Sequence, residues 1–203
     1  MKSSLTIVLF FILGLLAGIY DLVPSFLANE NLPTVLLCVL MVLAGMNTGS
    51  DKEAFYILKR INFRILLVPI FIIAGSLLGA AFVSFLMNDL SLKETIAVGA
   101  GMGYYSLSSV IISRLSGPQL GVVALLSNIF REILTLVYVP ILVRYFGKLA
   151  GIASGGATAM DTTLPVIVKY SGSEYGIIAV FSGIVLTLLV PLLIPLILDF
   201  FIF

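Results

Sequence analysis

Two carboxylates lie in stretches where almost every neighbour is apolar or small. Asp161 sits in Gly155-Gly156-Ala157-Thr158-Ala159-Met160-Asp161-Thr162-Thr163-Leu164-Pro165, and Glu132 in Ser127-Asn128-Ile129-Phe130-Arg131-Glu132. Hydrophobic residues make up 61% of the 203 and charged residues 10%, against roughly 25% charged in a soluble domain. The solvent for such a chain is a bilayer. An acid at bilayer depth pairs with a partner or lines a path for ions and charged solutes. That chemistry is binding and proton exchange rather than bond breaking.

Composition excludes the main alternatives. The chain has no His, which removes Ser-His-Asp and Cys-His nucleophiles and His-bearing zinc sites. No enzyme activity, metal or cofactor is expected. The single cysteine, Cys38, lies in an apolar run and reads as packing. A net charge of +1 with no basic face argues against nucleic acid. Tyr20-Asp21 matches half of an intramembrane aspartyl protease pattern, and the Gly-x-Gly-Asp half is absent.

The residue types around each acid suggest how it is placed. Pro165 cannot donate to the carbonyl of Asp161 four residues earlier, so a broken helix is expected to gather a carboxylate and a freed backbone oxygen. Gly155 and Gly156, helped by Thr158, would offer amides to an anionic group of a bound solute. A glycine and threonine packing seam with a proline kink would use the same residues. On a helix, Asn128 is one turn from both Arg131 and Glu132, whereas the adjacent Arg131 and Glu132 diverge by about 100°. Arg131 is expected to bond a carbonyl or Asp161, leaving Glu132 open to a cavity. A buried ion pair fixing helix register is the alternative.

Gly99-Ala100-Gly101-Met102-Gly103-Tyr104-Tyr105-Ser106-Leu107-Ser108-Ser109 lacks the spacing of a dinucleotide loop. It reads as close helix packing followed by aromatics, Tyr104 and Tyr105, that can face an ammonium group, and by hydroxyls that begin at Ser106. Gly45-Met46-Asn47-Thr48-Gly49 is a weaker version of the same pattern.

These residues need spanning helices to hold them. On a scale of about 20 apolar residues per span, spans fall near 5–23, 32–49, 64–87, 94–113, 118–145, 149–169 and 175–202. The expected fold is an all-α integral membrane protein, a polytopic transmembrane helix bundle with about seven spans. Small and polar residues interrupt 94–113 and 149–169, and either can be re-entrant. No linker divides residues 1–203, which read as one transmembrane transporter domain. The N-terminal apolar run has no small-residue cleavage site and reads as a retained span.

Positive residues orient the bundle. Lys2, Lys52, Lys59, Arg60, Arg64, Arg114 and Lys169 are expected inside, and Lys93, Arg144 and Lys148 outside. The N-terminus is then inside and the C-terminus outside. On this count the interrupted stretches near 99–109 and 154–165 run in the same direction, which a simple inverted repeat does not.

The strings Gly101-Met102-Gly103-Tyr104-Tyr105-Ser106-Leu107-Ser108, Asn128-Ile129-Phe130-Arg131-Glu132 and Gly156-Ala157-Thr158-Ala159-Met160-Asp161-Thr162-Thr163-Leu164-Pro165 resemble the lysine-exporter family of the LysO type. The resemblance covers essentially the whole chain. It implies export of L-lysine, and of analogues such as thialysine, from a prokaryotic cytoplasm across the cytoplasmic membrane against inward proton flow. By motif position Glu132 and Asp161 are the family's intramembrane acids. Members commonly carry Trp-Tyr where this chain has Tyr104-Tyr105. Full-length members have further N-terminal spans, so the chain looks like the C-terminal part of a split exporter. The implied partners are a small membrane subunit supplying those spans and a second copy of the chain. Two other readings use the same residues: an inorganic cation/proton antiporter, and a structural subunit of a two-chain transporter.

Overall fold

The computed structural model describes residues 63–87 and 89–200, together with Leu13, Leu16, Ala17, Ile19, Tyr20, Val35 and Val39. The chain divides into two units, Met1–Val39 and Leu40–Phe203. In the first, Leu13, Leu16, Ala17 and Ile19 are helical, and the Tyr20 N–H donates to the Leu16 carbonyl at 3.0 Å. Most of the expected spans 5–23 and 32–49 lies outside the described residues, as do Cys38, Asn47, Lys52, Lys59 and Arg60. Glu132 and Asp161 both belong to the second unit.

The described residues of that unit are helical, with no strand among them. The order is α1 (Phe63–Ser84), α2 (Leu92–Gly99), α3 (Tyr105–Ser116), α4 (Pro118–Phe146), α5 (Ala150–Gly155), a 3-10 turn (Gly156–Met160), α6 (Leu164–Ser171) and α7 (Glu174–Phe200). Within α1, α4 and α7 lie three segments long and apolar enough to cross a membrane, Ile65–Ser84, Pro118–Phe146 and Glu174–Asp199. The all-α membrane fold expected from composition is what forms. Gly117, Gly147 and Gly172, at φ 96°, 89° and 110°, reverse the chain between helices in a backbone region that costs other residues energy. Pro118 follows in the first turn of α4, where a missing N–H costs nothing.

Neither of the two interrupted stretches is one continuous helix. Each folds back on itself. In the second, the Ser171 hydroxyl at the end of α6 donates to the Lys148 carbonyl just before α5, at 2.8 Å. The Lys148 ammonium lies 3.6 Å from Glu174 and 5.3 Å from the centroid of the Tyr175 ring. Both ends of the hairpin therefore sit together, where α4 stops and α7 starts. In the first, α2 returns alongside α1: a Cβ on Gly99 would meet Ala80 at 2.5 Å. Then α3 and α4 run antiparallel, with Gly121 against Ser113 and Ser109. Val123 of α4 shares a cleft with Val83, Met87 and Thr95, so the start of α4 lies at the same end as the link from α1 to α2. Residues 92–116 and 150–171 are thus helical hairpins that open at opposite ends of the long helices.

Hairpin plus long helix occurs twice, in opposite orientations. The sequence carries the duplication at one fixed offset. Ile112, Ser116, Gly117, Gly121, Ala124, Ser127, Ile129 and Pro140 recur as Ile167, Ser171, Gly172, Gly176, Ala179, Ser182, Ile184 and Pro195. This is an inverted repeat, the arrangement that secondary transporters build around a midplane site. The apparent same-direction problem disappears, because each stretch turns back on itself.

Sidedness changes with it. Arg144, Lys148 and Lys169 lie at the end where α1 begins, whereas Lys93 and Arg114 lie at the end where it stops. A seven-span count places Arg144 and Lys148 across from the start of α1, and Arg114 on its side. The re-entrant hairpins exchange them.

This topology is open to labelling. With Cys38 replaced by Ser, Lys148→Cys and Ser173→Cys should react with an impermeant thiol reagent from one face of the membrane, and Asp89→Cys and Gln119→Cys from the other. Labelling of Asp89→Cys and Gln119→Cys from opposite faces would mean that residues 92–116 cross the membrane.

Candidate functional site

A helix broken inside a bilayer exposes backbone N–H and C=O groups that lipid cannot satisfy. Here the two hairpin tips satisfy each other. The Ala157 N–H donates to the Met102 carbonyl at 2.9 Å, and these residues occupy equivalent places in the two repeats. The approach is close enough to exclude side chains: Gly156, at φ 62°, leaves no room for a Cβ against the Met102 carbonyl, and one on Gly103, at φ 94°, would lie 2.9 Å from the Gly155 carbonyl.

The remaining backbone groups at the tips are held by α4. Asn128, buried, accepts the Gly103 N–H at 2.7 Å and donates to the Ala124 and Val98 carbonyls at 2.9 and 3.4 Å. One turn on, Arg131 takes the other tip. Its Nε donates to the Ser154 carbonyl at 2.9 Å and its Nη2 to the Ala153 carbonyl at 3.0 Å, while Nη1 reaches the Ser76 hydroxyl of α1 at 3.1 Å. A guanidinium at the C-terminal carbonyls of α5 also opposes the partial negative charge there. Of the two partners expected for Arg131, the carbonyl is the one found; among the described residues no carboxylate pairs with it.

Hairpin two is knitted further by its threonines. The Thr158 hydroxyl donates to the Gly155 carbonyl at 2.9 Å, and the Thr163 hydroxyl to the Thr158 carbonyl at 3.0 Å. The Gly156 N–H is taken by Ile152. Pro165 lies in the first turn of α6 rather than inside a helix, and the Asp161 carbonyl accepts the Leu164 N–H at 3.3 Å. The expected freed backbone oxygen is therefore occupied.

What stays uncommitted is the pair of acids. Asp161 ends the 3-10 turn, exposed, with one carboxylate oxygen accepting the Thr162 N–H at 2.6 Å and its hydroxyl at 3.3 Å. Glu132 is half-buried on α4 and has neither a hydrogen bond nor a cationic partner among the described residues. Tyr104 and Tyr105, half-buried, follow the first tip, Asp161 closes the second, and Glu132 adjoins Arg131, which holds the second, so acids and phenols gather beside the crossing. Ser106, exposed, follows them and is the repeat equivalent of Asp161. So the sequence-derived residues divide by position. Asp161, Glu132, Tyr104, Tyr105 and Ser106 border an open face. Asn128, Arg131, Thr158, Gly155 and Gly156 build the crossing that supports it. Ser76 and Thr163 also belong to that support. Thr163 has a signal in the threonine run, whereas nothing local in sequence marks Ser76.

Comparison with known proteins fixes the family. Residues 8–198 match the family described as Lysine exporter LysO. The chain belongs to the lysine exporter LysO family. It is 32% identical over 160 residues to the lysine exporter LysO of Escherichia coli strain K12, covering 78% of this chain and 52% of that protein. A Haemophilus influenzae relative, named as a putative lysine exporter, is 39% identical over 119 residues, covering 59% of this chain and 60% of the relative. The chain thus spans between half and three-fifths of the length of these relatives. No solved structure matches it.

The division between support and open face predicts opposite mutational behaviour. Asn128→Ala leaves the Gly103 N–H without its acceptor and should lower unfolding stability in detergent by about 1–3 kcal/mol. Arg131→Lys, which loses the planar fork, should cost a similar amount. Ser182→Ala, which removes a buried hydroxyl without a hydrogen-bond partner, should be neutral or slightly stabilising.

Proposed function

We propose that this chain exports L-lysine, and analogues such as thialysine, from a prokaryotic cytoplasm in exchange for protons. The observation that carries the reading is a pair of carboxylates with no cationic partner among the described residues, beside two tyrosines, where two inverted re-entrant hairpins cross. Lysine suits such a face, because its side-chain ammonium finds two acids there. The rings of Tyr104 and Tyr105 offer π-faces to an ammonium, and Ser106 offers a hydroxyl. Protons and lysine cannot occupy the same carboxylates together, so protonation from one side displaces substrate bound from the other. That competition is sufficient for antiport.

Orientation follows from the charge rule. With the hairpins re-entrant, Arg144, Lys148 and Lys169 join Lys52, Lys59, Arg60 and Arg64, leaving Lys93 and Arg114 across the membrane. Cytoplasmic loops carry the excess of Lys and Arg, so we place the start of α1 inside. Hairpin 150–171 then enters from the cytoplasm and hairpin 92–116 from outside. The C-terminus is outside, and the N-terminus inside given two spans before α1. An exposed carboxylate at midplane cannot face lipid. We therefore take the Asp161 face to be closed by further spanning segments, from a small partner subunit or a second copy of the chain.

The test is lysine transport in proteoliposomes with an imposed pH gradient. Lysine should accumulate in the acidic compartment, and a protonophore should abolish the movement. Asp161→Asn and Glu132→Gln should each lower the rate by at least about 100-fold, the scale of about 2.7 kcal/mol, with unfolding stability retained. Full activity in both variants would overturn the assignment. Transport that appears only after co-expression of a small membrane protein would establish the two-chain form.

A further inference from the structure

Beside Arg131, α1, α2 and α4 line a cleft of about 360 Å³. Its walls include Ala80, Val83, Val98 and Val123, and it also borders Ser76, Ser127 and Arg131. A guanidinium has five N–H donors. Three are committed, one each to Ser154, Ser76 and Ala153. Two N–H groups remain, one on each terminal nitrogen, the pair that a carboxylate can take in bidentate fashion. No carboxylate of the described residues neutralises this cation, although a charge at bilayer depth is costly alone. The Ser127 hydroxyl, exposed on the same wall, makes no hydrogen bond within the described residues. A cavity, an unneutralised cation with spare donors and a free hydroxyl coincide.

We propose that this cleft holds the α-carboxylate of the transported amino acid, with Arg131 as the charge partner and Ser127 as the second donor. The inference rests on the export reading and deepens it. The backbone amides expected to take the carboxylate include that of Gly156, which is already bonded to Ile152, so the carboxylate needs another host. Arg131 is adjacent in sequence to Glu132 but points to another face of α4. The two residues would then take opposite ends of one lysine, Arg131 the α-carboxylate and Glu132 the side-chain ammonium. The cleft opens toward the link between α1 and α2, past Met87 and Leu90, which is the outer end in the orientation proposed above. It is therefore the way out.

Binding of L-lysine and of 1,5-diaminopentane, which is lysine without its carboxylate, to the purified full chain by calorimetry separates the outcomes. Wild type should bind lysine about tenfold or more tightly than the diamine, the scale of one charge-assisted pair. Ser127→Leu and Ala80→Leu fill the cleft without touching a tip. Each should reduce lysine affinity to that of the diamine and leave the diamine unchanged. Equal binding of both ligands to wild type, unchanged lysine affinity in both variants, or parallel loss of both ligands would overturn the proposal. So would release of a bound anionic phospholipid on filling, which would make the anion a lipid headgroup. Binding of neither ligand to wild type would overturn the export reading itself, and the cleft assignment with it.

Discussion

Everything in this unit depends on backbone polar groups finding partners where lipid offers none. A hairpin that turns inside a bilayer leaves the ends of two helices uncapped, and each unsatisfied group costs several kcal/mol in hydrocarbon. One tip alone would be untenable. Two tips meeting at Ala157 and Met102, with Asn128 and Arg131 supplying the remaining partners, make the break tolerable. The glycines at the crossing follow from that contact, because the tips must approach backbone to backbone. So does the burial of the threonines in the second tip: their hydroxyls cap carbonyls that no helix can reach.

The duplication explains why the crossing sits between the two copies. Two copies of hairpin plus helix, inserted in opposite senses, must place equivalent residues on either side of a pseudo-twofold axis. Their departures from identity are as informative as their agreement. Asn128 corresponds to Gly183 in the second copy, and a Cβ there would lie 2.5 Å from Met160. Arg131 becomes Leu186, Glu132 becomes Thr187, and Ser106 becomes Asp161. One copy supplies both structural pins and one acid from its helix, and the other supplies an acid from its tip. Symmetry sets the frame, and broken symmetry sets the chemistry.

Much of this is legible in the residues. The membrane class follows from composition, and the long apolar runs at 64–87, 118–145 and 175–202 each match a long helix. The acids, tyrosines and glycine-rich breaks stand out as groups. The hairpins do not, because an apolar stretch of some twenty residues has the same length whether it crosses or turns back. The signals that distinguish them are small. Ser91 and Glu94 form a reciprocal capping box that starts α2 earlier than hydropathy alone suggests. The Ser-Gly pairs at 116–117 and 171–172 mark equivalent ends of the two hairpins. Pro165 signals a break within a helix, yet its place in the first turn of α6 gives the same sequence signal. The partner of Arg131 on α1 is hidden because the link is tertiary, and Ser76 looks like any small residue in a packed helix.

Both tips hang from a single helix, a turn apart. Neither can be displaced without loading the other through α4, whereas α7, with Gly183 and Leu186 at the matching positions, reaches the second tip among the described residues by a hydroxyl of Thr187 at 4.0 Å from the Met160 sulfur. Any rearrangement that exposes the crossing to one side of the membrane must therefore move α4 as a beam with both tips attached, or release one latch entirely. A leak, in which both sides open together, would require Asn128 and Arg131 to let go at once. The spacing of two polar residues on one helix thus acts as an interlock.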